Sequence, residues 1–142
     1  VTPQALQLWK SIGINRISLG VQALDNEALR FLGRAHTREE ALCAIEAATG
    51  VFANTSIDMI YARPGQSQER WLGELNEALS SGAPHLSLYE LTIKEKTAFA
   101  AVSTLIKSAP LPLPCSPHLM RALAKPASPA VTDQTLRYKP LL

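Results

Sequence analysis

Cysteine is scarce in this sequence, with only Cys43 and Cys115 present. That excludes a disulfide-dense secreted scaffold, and there is no Cys-x-x-Cys pair to hold zinc or run thiol exchange. One disulfide is arithmetically possible, but nothing else reads as secreted, so reduced thiols in a cytoplasmic setting are expected. No apolar run approaches the roughly 18 residues that span a bilayer, so no transmembrane segment is read. No charged stretch followed by an apolar core opens the chain, and a start at Val1 reads as a cut beginning. Neither a P-loop nor a Gly-x-Gly-x-x-Gly run occurs. His36 and His85 have no second ligand at metal spacing and are expected to be structural or surface residues.

Glycine is absent from residues 101–142, although seven glycines occur before them, while seven of the ten prolines fall in that tail. Charge divides at the same place. Residues 1–100 carry 9 basic and 11 acidic side chains, and 101–142 carry 5 and 1. The overall +2 therefore belongs to the tail. Its cations are scattered without aromatic interleaving, which argues against a nucleic-acid site. Two regions follow: 1–100, regular, and 101–142, irregular, with a composition that suggests disorder or out-of-frame translation. Reading the coding DNA in the other two frames tests the latter; finding no barrel-like sequence there would discard it.

What is present before residue 100 is regular. Thr2 caps a helix with Pro3 at its first position, running to Ser11 before Gly13. Arg16–Gln22 reads as a strand. Asp25 caps a helix from Asn26 to Leu32, closed by Gly33. Thr37-Arg-Glu-Glu40 is a capping box opening a helix that ends at Gly50. Asn54–Tyr61 is a second strand, and Ser67 caps a helix from Gln68 to Leu79. His85–Ile93 is a third strand, and Thr97–Lys107 forms one more helix. Trp9 and Trp71 lie on amphipathic helices and are expected to pack against the sheet. Strands separated by helices, with no hairpin signal, imply right-handed βαβ units and a parallel sheet. The fold class is α/β: part of a (β/α) TIM-like barrel or a doubly wound sheet. Three strands are too few to close a barrel.

Ligands in parallel α/β folds meet the carboxyl ends of the strands. Gln22 follows the first strand, Asp58 lies within the second, and Thr92 falls late in the third. A carboxylate between Ile57 and Met59 needs hydrogen-bonding partners if it is buried. Ribose hydroxyls and a structural backbone N–H are both open as partners. Arg34 could fork onto a carboxylate or simply be solvated. Tyr61-Ala-Arg-Pro-Gly-Gln66 is a tight turn, built for backbone approach to a ligand or for turn geometry alone.

Four ordered blocks carry a family resemblance: Arg16-Ile-Ser-Leu-Gly-Val-Gln22, Leu32-Gly-Arg-Ala-His36, Ser56-Ile-Asp-Met-Ile-Tyr61 with Pro64-Gly-Gln66, and Leu86-Ser-Leu-Tyr-Glu-Leu-Thr92. Over about residues 1–100 the chain resembles the oxygen-independent coproporphyrinogen III oxidase family of radical S-adenosylmethionine (SAM) proteins, and is closer to its haem-chaperone branch. The resemblance implies the middle of a (β/α)₆ barrel, with SAM and a [4Fe–4S] cluster as cofactors and porphyrin or haem as partner. It implies SAM contacts from Gln22, Arg34, Asp58 and, through backbone, Thr92. The family's Cys-x-x-x-Cys-x-x-Cys run, whose thiolates hold the cluster, is missing here. Neither Cys43 nor Cys115 substitutes for it. Where the family has Tyr-Gly-Leu-Pro, this chain has Tyr61-Ala-Arg-Pro64; Ala62 is expected to forbid conformations open to Gly, and Arg63 to put charge in an apolar slot. The expectation is a piece of such an enzyme or chaperone of porphyrin metabolism, inactive alone. The alternative is a non-enzymatic α/β nucleotide-binding or interaction domain.

Overall fold

The computed structural model describes residues 1–94 and the backbone of 130–134. Its elements in chain order are α1 Pro3–Ser11, β1 Arg16–Gln22, α2 Asn26–Phe31, α3 Arg38–Val51, β2 Asn54–Tyr61, α4 Gln68–Ser80, β3 His85–Glu90 and β4 Ala130–Gln134. The strands form one sheet in the order β1-β2-β3-β4, and every adjacent pair is parallel. This is the expected α/β arrangement, and β1 lies at the sheet edge. A short strand within the proline-rich tail extends it: Ala130 pairs with His85 and Gln134 with Tyr89. Five residues, Ala-Val-Thr-Asp-Gln, are too few to show a period against a proline-broken background. The helix expected over 97–107 lies outside the described residues.

Local chemistry starts and stops the helices. The Thr2, Asp25, Thr37 and Ser67 side chains each accept the backbone N–H three residues on, which satisfies donors a helix start leaves open. Thr37 and Glu40 complete the capping box in both directions, at 3.2 and 2.7 Å. α3 does not stop at Gly50. It runs to Val51 and ends at extended Phe52, whose buried ring anchors the exit.

Alternation along the strands separates two faces. Leu19, Val21, Ile57, Met59, Leu86 and Leu88 point to one side, where α1, α3 and α4 supply Leu6, Ile45 and Trp71. Trp71 is 1% exposed and stacks on Tyr61 with ring centroids 5.5 Å apart. Trp9 also packs against this core, so both tryptophans lie where the amphipathic pattern put them. The opposite face is polar along most of its length, bearing Ser18, Ser56, Asp58 and Ser87. Only near the carboxyl ends does a second apolar cluster form, from Ala23, Leu29, Leu32 and Ile60.

The Trp71 indole N–H is buried without a hydrogen-bond partner, so this ring contributes through packing alone. Trp71→Ala is expected to lower stability by about 3–5 kcal/mol in urea unfolding, with Trp71→Phe costing less than half of that.

Candidate functional site

The first strand leaves the sheet through an irregularity. Leu19 pairs with Ile57 but Gln22 pairs with Met59, so β1 carries one residue more than its partner. Gln22 has φ 69°, and the Ala23 N–H donates to the Val21 carbonyl at 2.8 Å. This is a γ-turn in the left-handed region, a conformation costing a non-glycine residue about 1–3 kcal/mol. Two contacts hold it, and Gly20 leaves room for its side chain. The His36 Nε2 lies 3.1 Å from the same Val21 oxygen. The Leu24 N–H donates to Glu74 Oε2 at 2.9 Å. The Gln22 side chain folds back over Gly20, where a Cβ would come within 2.9 Å of Nε2.

Arg34 reaches the same place because of how α2 ends. The Gly33 N–H bonds to Arg30 O at 3.0 Å, the Arg34 N–H bonds to Leu29 O at 2.9 Å, and Gly33 has φ 66°. This glycine-closed helix end turns the chain back on itself. Arg34 Nη2 then donates to Gln22 Oε1 at 3.3 Å. Arg34 therefore meets an amide oxygen on the protein and not a carboxylate.

Asp58 is half-buried on the polar face of the sheet. Its partner is the Ser18 hydroxyl, 3.1 and 3.2 Å from the two carboxylate oxygens, and not a backbone N–H. One weak donor shared between two oxygens leaves much of the carboxylate's accepting capacity unused. Below it, Ser56 Oγ lies 2.8 Å from His85 Nδ1 and 3.4 Å from Ser87 Oγ. His36 and His85 thus each make contacts within the protein. Thr92 is exposed past the end of β3, where the Leu91 N–H donates to Tyr61 O at 2.9 Å. Of the four residues singled out in the sequence, Gln22 and Arg34 bond to each other. Asp58 lies beside the residue paired with Gln22, and Thr92 stands at the far side of β2.

The loop after β2 corrects two expectations. Ala62 adopts φ 59° itself, so the left-handed turn survives without glycine. Arg63 is 4% exposed, yet its charge is neutralised: Nη2 donates to Glu74 Oε1, and Glu74 is 8% exposed. Gln66 Nε2 donates to the same oxygen at 3.3 Å, and the Arg63 N–H donates to Gln66 Oε1 at 3.3 Å. Arg63 Nε and Nη1 remain without partners. A cleft of about 200 Å³ lies against this loop, lined by Asp25, Glu27, Phe31 and Arg70. A larger groove of about 590 Å³ runs beside β1, lined by Gly20, His36 and Cys43 among others. Cys43 is exposed on α3, and no group of three metal-ligating side chains occurs among the described residues.

Ser18, Gly20, His36 and Glu74 were not singled out as site residues in the sequence. The only signal for Glu74 was an acidic residue inside the apolar stripe of α4, three positions after Trp71. Glu74→Leu alone leaves a buried unpaired guanidinium and is expected to cost about 3–5 kcal/mol in urea unfolding. Adding Arg63→Leu is expected to recover at least half of that loss.

The sequence matches the Radical SAM superfamily over residues 1–78. It is 40% identical over 94 residues to the heme chaperone HemW of Escherichia coli, covering 66% of this chain and 25% of that protein. It is 44% identical over 93 residues to the mitochondrial radical S-adenosyl methionine domain-containing protein 1 of Dictyostelium discoideum, covering 63% and 21%. The solved coproporphyrinogen III oxidase HemN of Escherichia coli, a radical SAM enzyme, superposes with a TM-score of 0.67 at 27% identity. That match covers 87% of this chain and 29% of the oxidase. The chain thus spans about a quarter of the length of these relatives.

Proposed function

Because the chain belongs to the radical SAM superfamily, we propose that it forms the SAM-facing part of a protein of the coproporphyrinogen-oxidase and haem-chaperone type. The observation that carries this reading is Asp58. It is a half-buried carboxylate with accepting capacity to spare, held by Ser18 on the polar face of the sheet one register step from Gln22. Asp58 would accept the paired hydroxyls of a ribose or an ammonium group. Arg34 would hold a ligand carboxylate, its Nη2 already fixed against Gln22. The Gln22 amide would add a donor, and Thr92 a backbone contact from the end of β3. The left-handed Gln22 and Ala62, at the ends of adjacent strands, are the kind of held strain that accompanies binding sites.

The donor set fits SAM and does not fit the iron–sulfur cluster, since Cys43 is the one cysteine among the described residues and it is exposed on α3. Bound SAM would supply the adenosyl and methionyl groups for radical chemistry in the whole protein. What these residues do is bind and orient it. The porphyrin or haem partner, and whether the whole protein oxidises or delivers, are part of the same proposal and rest on the relatives.

Calorimetric titration of the chain with SAM is expected to show saturable binding that Asp58→Ala weakens at least about tenfold, the loss of charge-assisted hydrogen bonds. ATP is expected to compete poorly. Equal competition by ATP would favour the general nucleotide-binding alternative, and no saturable SAM binding would reject the reading.

A further inference from the structure

Gln22 sits in a backbone conformation that its own residue type disfavours, so something outside it must maintain that conformation. The γ-turn has two flanking peptide groups, and each is gripped by a side chain from a different element. On the upstream side, the Val21 carbonyl accepts the Ala23 N–H at 2.8 Å and lies 3.1 Å from His36 Nε2. A carbonyl has two lone pairs, and these contacts use both. They also set the tautomer: for the contact to be a hydrogen bond, Nε2 must carry the proton. On the downstream side, the Leu24 N–H is fixed at 2.9 Å on the buried Glu74 carboxylate. Its other oxygen is occupied by Arg63 and Gln66, so Glu74 cannot swing away without stranding the Arg63 guanidinium.

We propose that His36 and Glu74 are positioning residues that clamp the two sides of the Gln22 γ-turn and thereby aim the Gln22 amide, folded over Gly20, at the ligand. The purpose assigned to the clamp rests on the SAM reading above; the clamp itself does not. Neither residue need touch the ligand. His36 belongs to the segment just after Arg34, so one short stretch, Gly33–His36, supplies both the Arg34 contact to the Gln22 side chain and the His36 grip on its backbone. Gln22 is therefore held at side chain and backbone by the same turn, and the left-handed end of α2 becomes part of the site's geometry.

Amide hydrogen exchange at Ala23 in the 142-residue chain reads the clamp directly, without any ligand. His36→Ala is expected to speed Ala23 exchange about tenfold, the value of one net hydrogen bond. His36→Gln, which keeps an N–H donor, is expected to stay within about threefold of the original. Glu74 is tested in an Arg63→Leu background, so that no guanidinium is left unpaired. There Glu74→Gln preserves an acceptor for the Leu24 N–H, and Glu74→Leu removes it. The Leu variant alone is expected to lose protection at Ala23. SAM affinity, read by titration, is expected to fall five- to tenfold in the unclamped variants and to return in the Gln variants. Unchanged Ala23 exchange in both His36→Ala and the Glu74→Leu background, or Gln variants no better than the truncations, would overturn the clamp. Absence of SAM binding in the unmutated chain would remove the proposed function while the exchange rates still decide the clamp.

Discussion

The carboxylate of Glu74 is the point on which the carboxyl end of this sheet depends. It stands on α4, inside the helix layer, yet it accepts from the loop after β1 through Leu24 and from the loop after β2 through Arg63 and Gln66. Parallel strands place successive loops side by side, but nothing in strand pairing dictates how those loops sit on one another. A buried carboxylate that accepts from both loops does. Its hydrogen bonds keep a charge in a dry place, and its geometry ties two loops to one helix. The strained residues Gln22 and Ala62 lie within two residues of groups that Glu74 engages, so the left-handed conformations and the buried network support each other.

The two faces of the sheet divide the labour. One face is apolar and meets α1, α3 and α4, with Trp71 and Tyr61 stacked where α4 crosses the end of β2. The other carries hydroxyls and one carboxylate that bond across the strands, Ser18 to Asp58 and Ser56 to His85 and Ser87. In this chain that face is open, with Ser18 and Gly20 exposed and Asp58 half-buried. It suits a fold that encloses a polar ligand, which agrees with the family to which the chain belongs.

Much of the fold was legible in the sequence because its determinants are local. Thr2, Asp25, Thr37 and Ser67 start the helices they were expected to start, since a cap needs only a side-chain oxygen three residues from a backbone donor. The strand periods and the absence of hairpin turns were enough for a parallel sheet. As candidates, Gln22 and Asp58 were visible as polar groups at a strand end and in an apolar run, whereas Arg34, past a helix, was marked out by the family resemblance. β4 was not legible: five residues between prolines and a basic stretch offer no period, and the strand exists only by pairing with β3. Arg63 was misread for a similar reason. Its partner Glu74 lies eleven residues on, and only the packing of α4 under the loop turns an isolated charge into a neutral pair.

By itself the sequence determined the order of the elements from α1 to β3, the caps that start the helices, and the family motifs. Each of these follows from residues within a turn or two of one another. Tertiary structure decided what those residues meet. It set the γ-turn at Gln22, the grip of His36 and Glu74 on either side of it, the seat of the Gln22 amide over Gly20, and the hold of Ser18 on Asp58. The contacts made by His36, Ser18 and Glu74 join residues 15, 40 and 50 positions apart in the chain. Their energies depend on distance and burial, which only the packed sheet and helices supply.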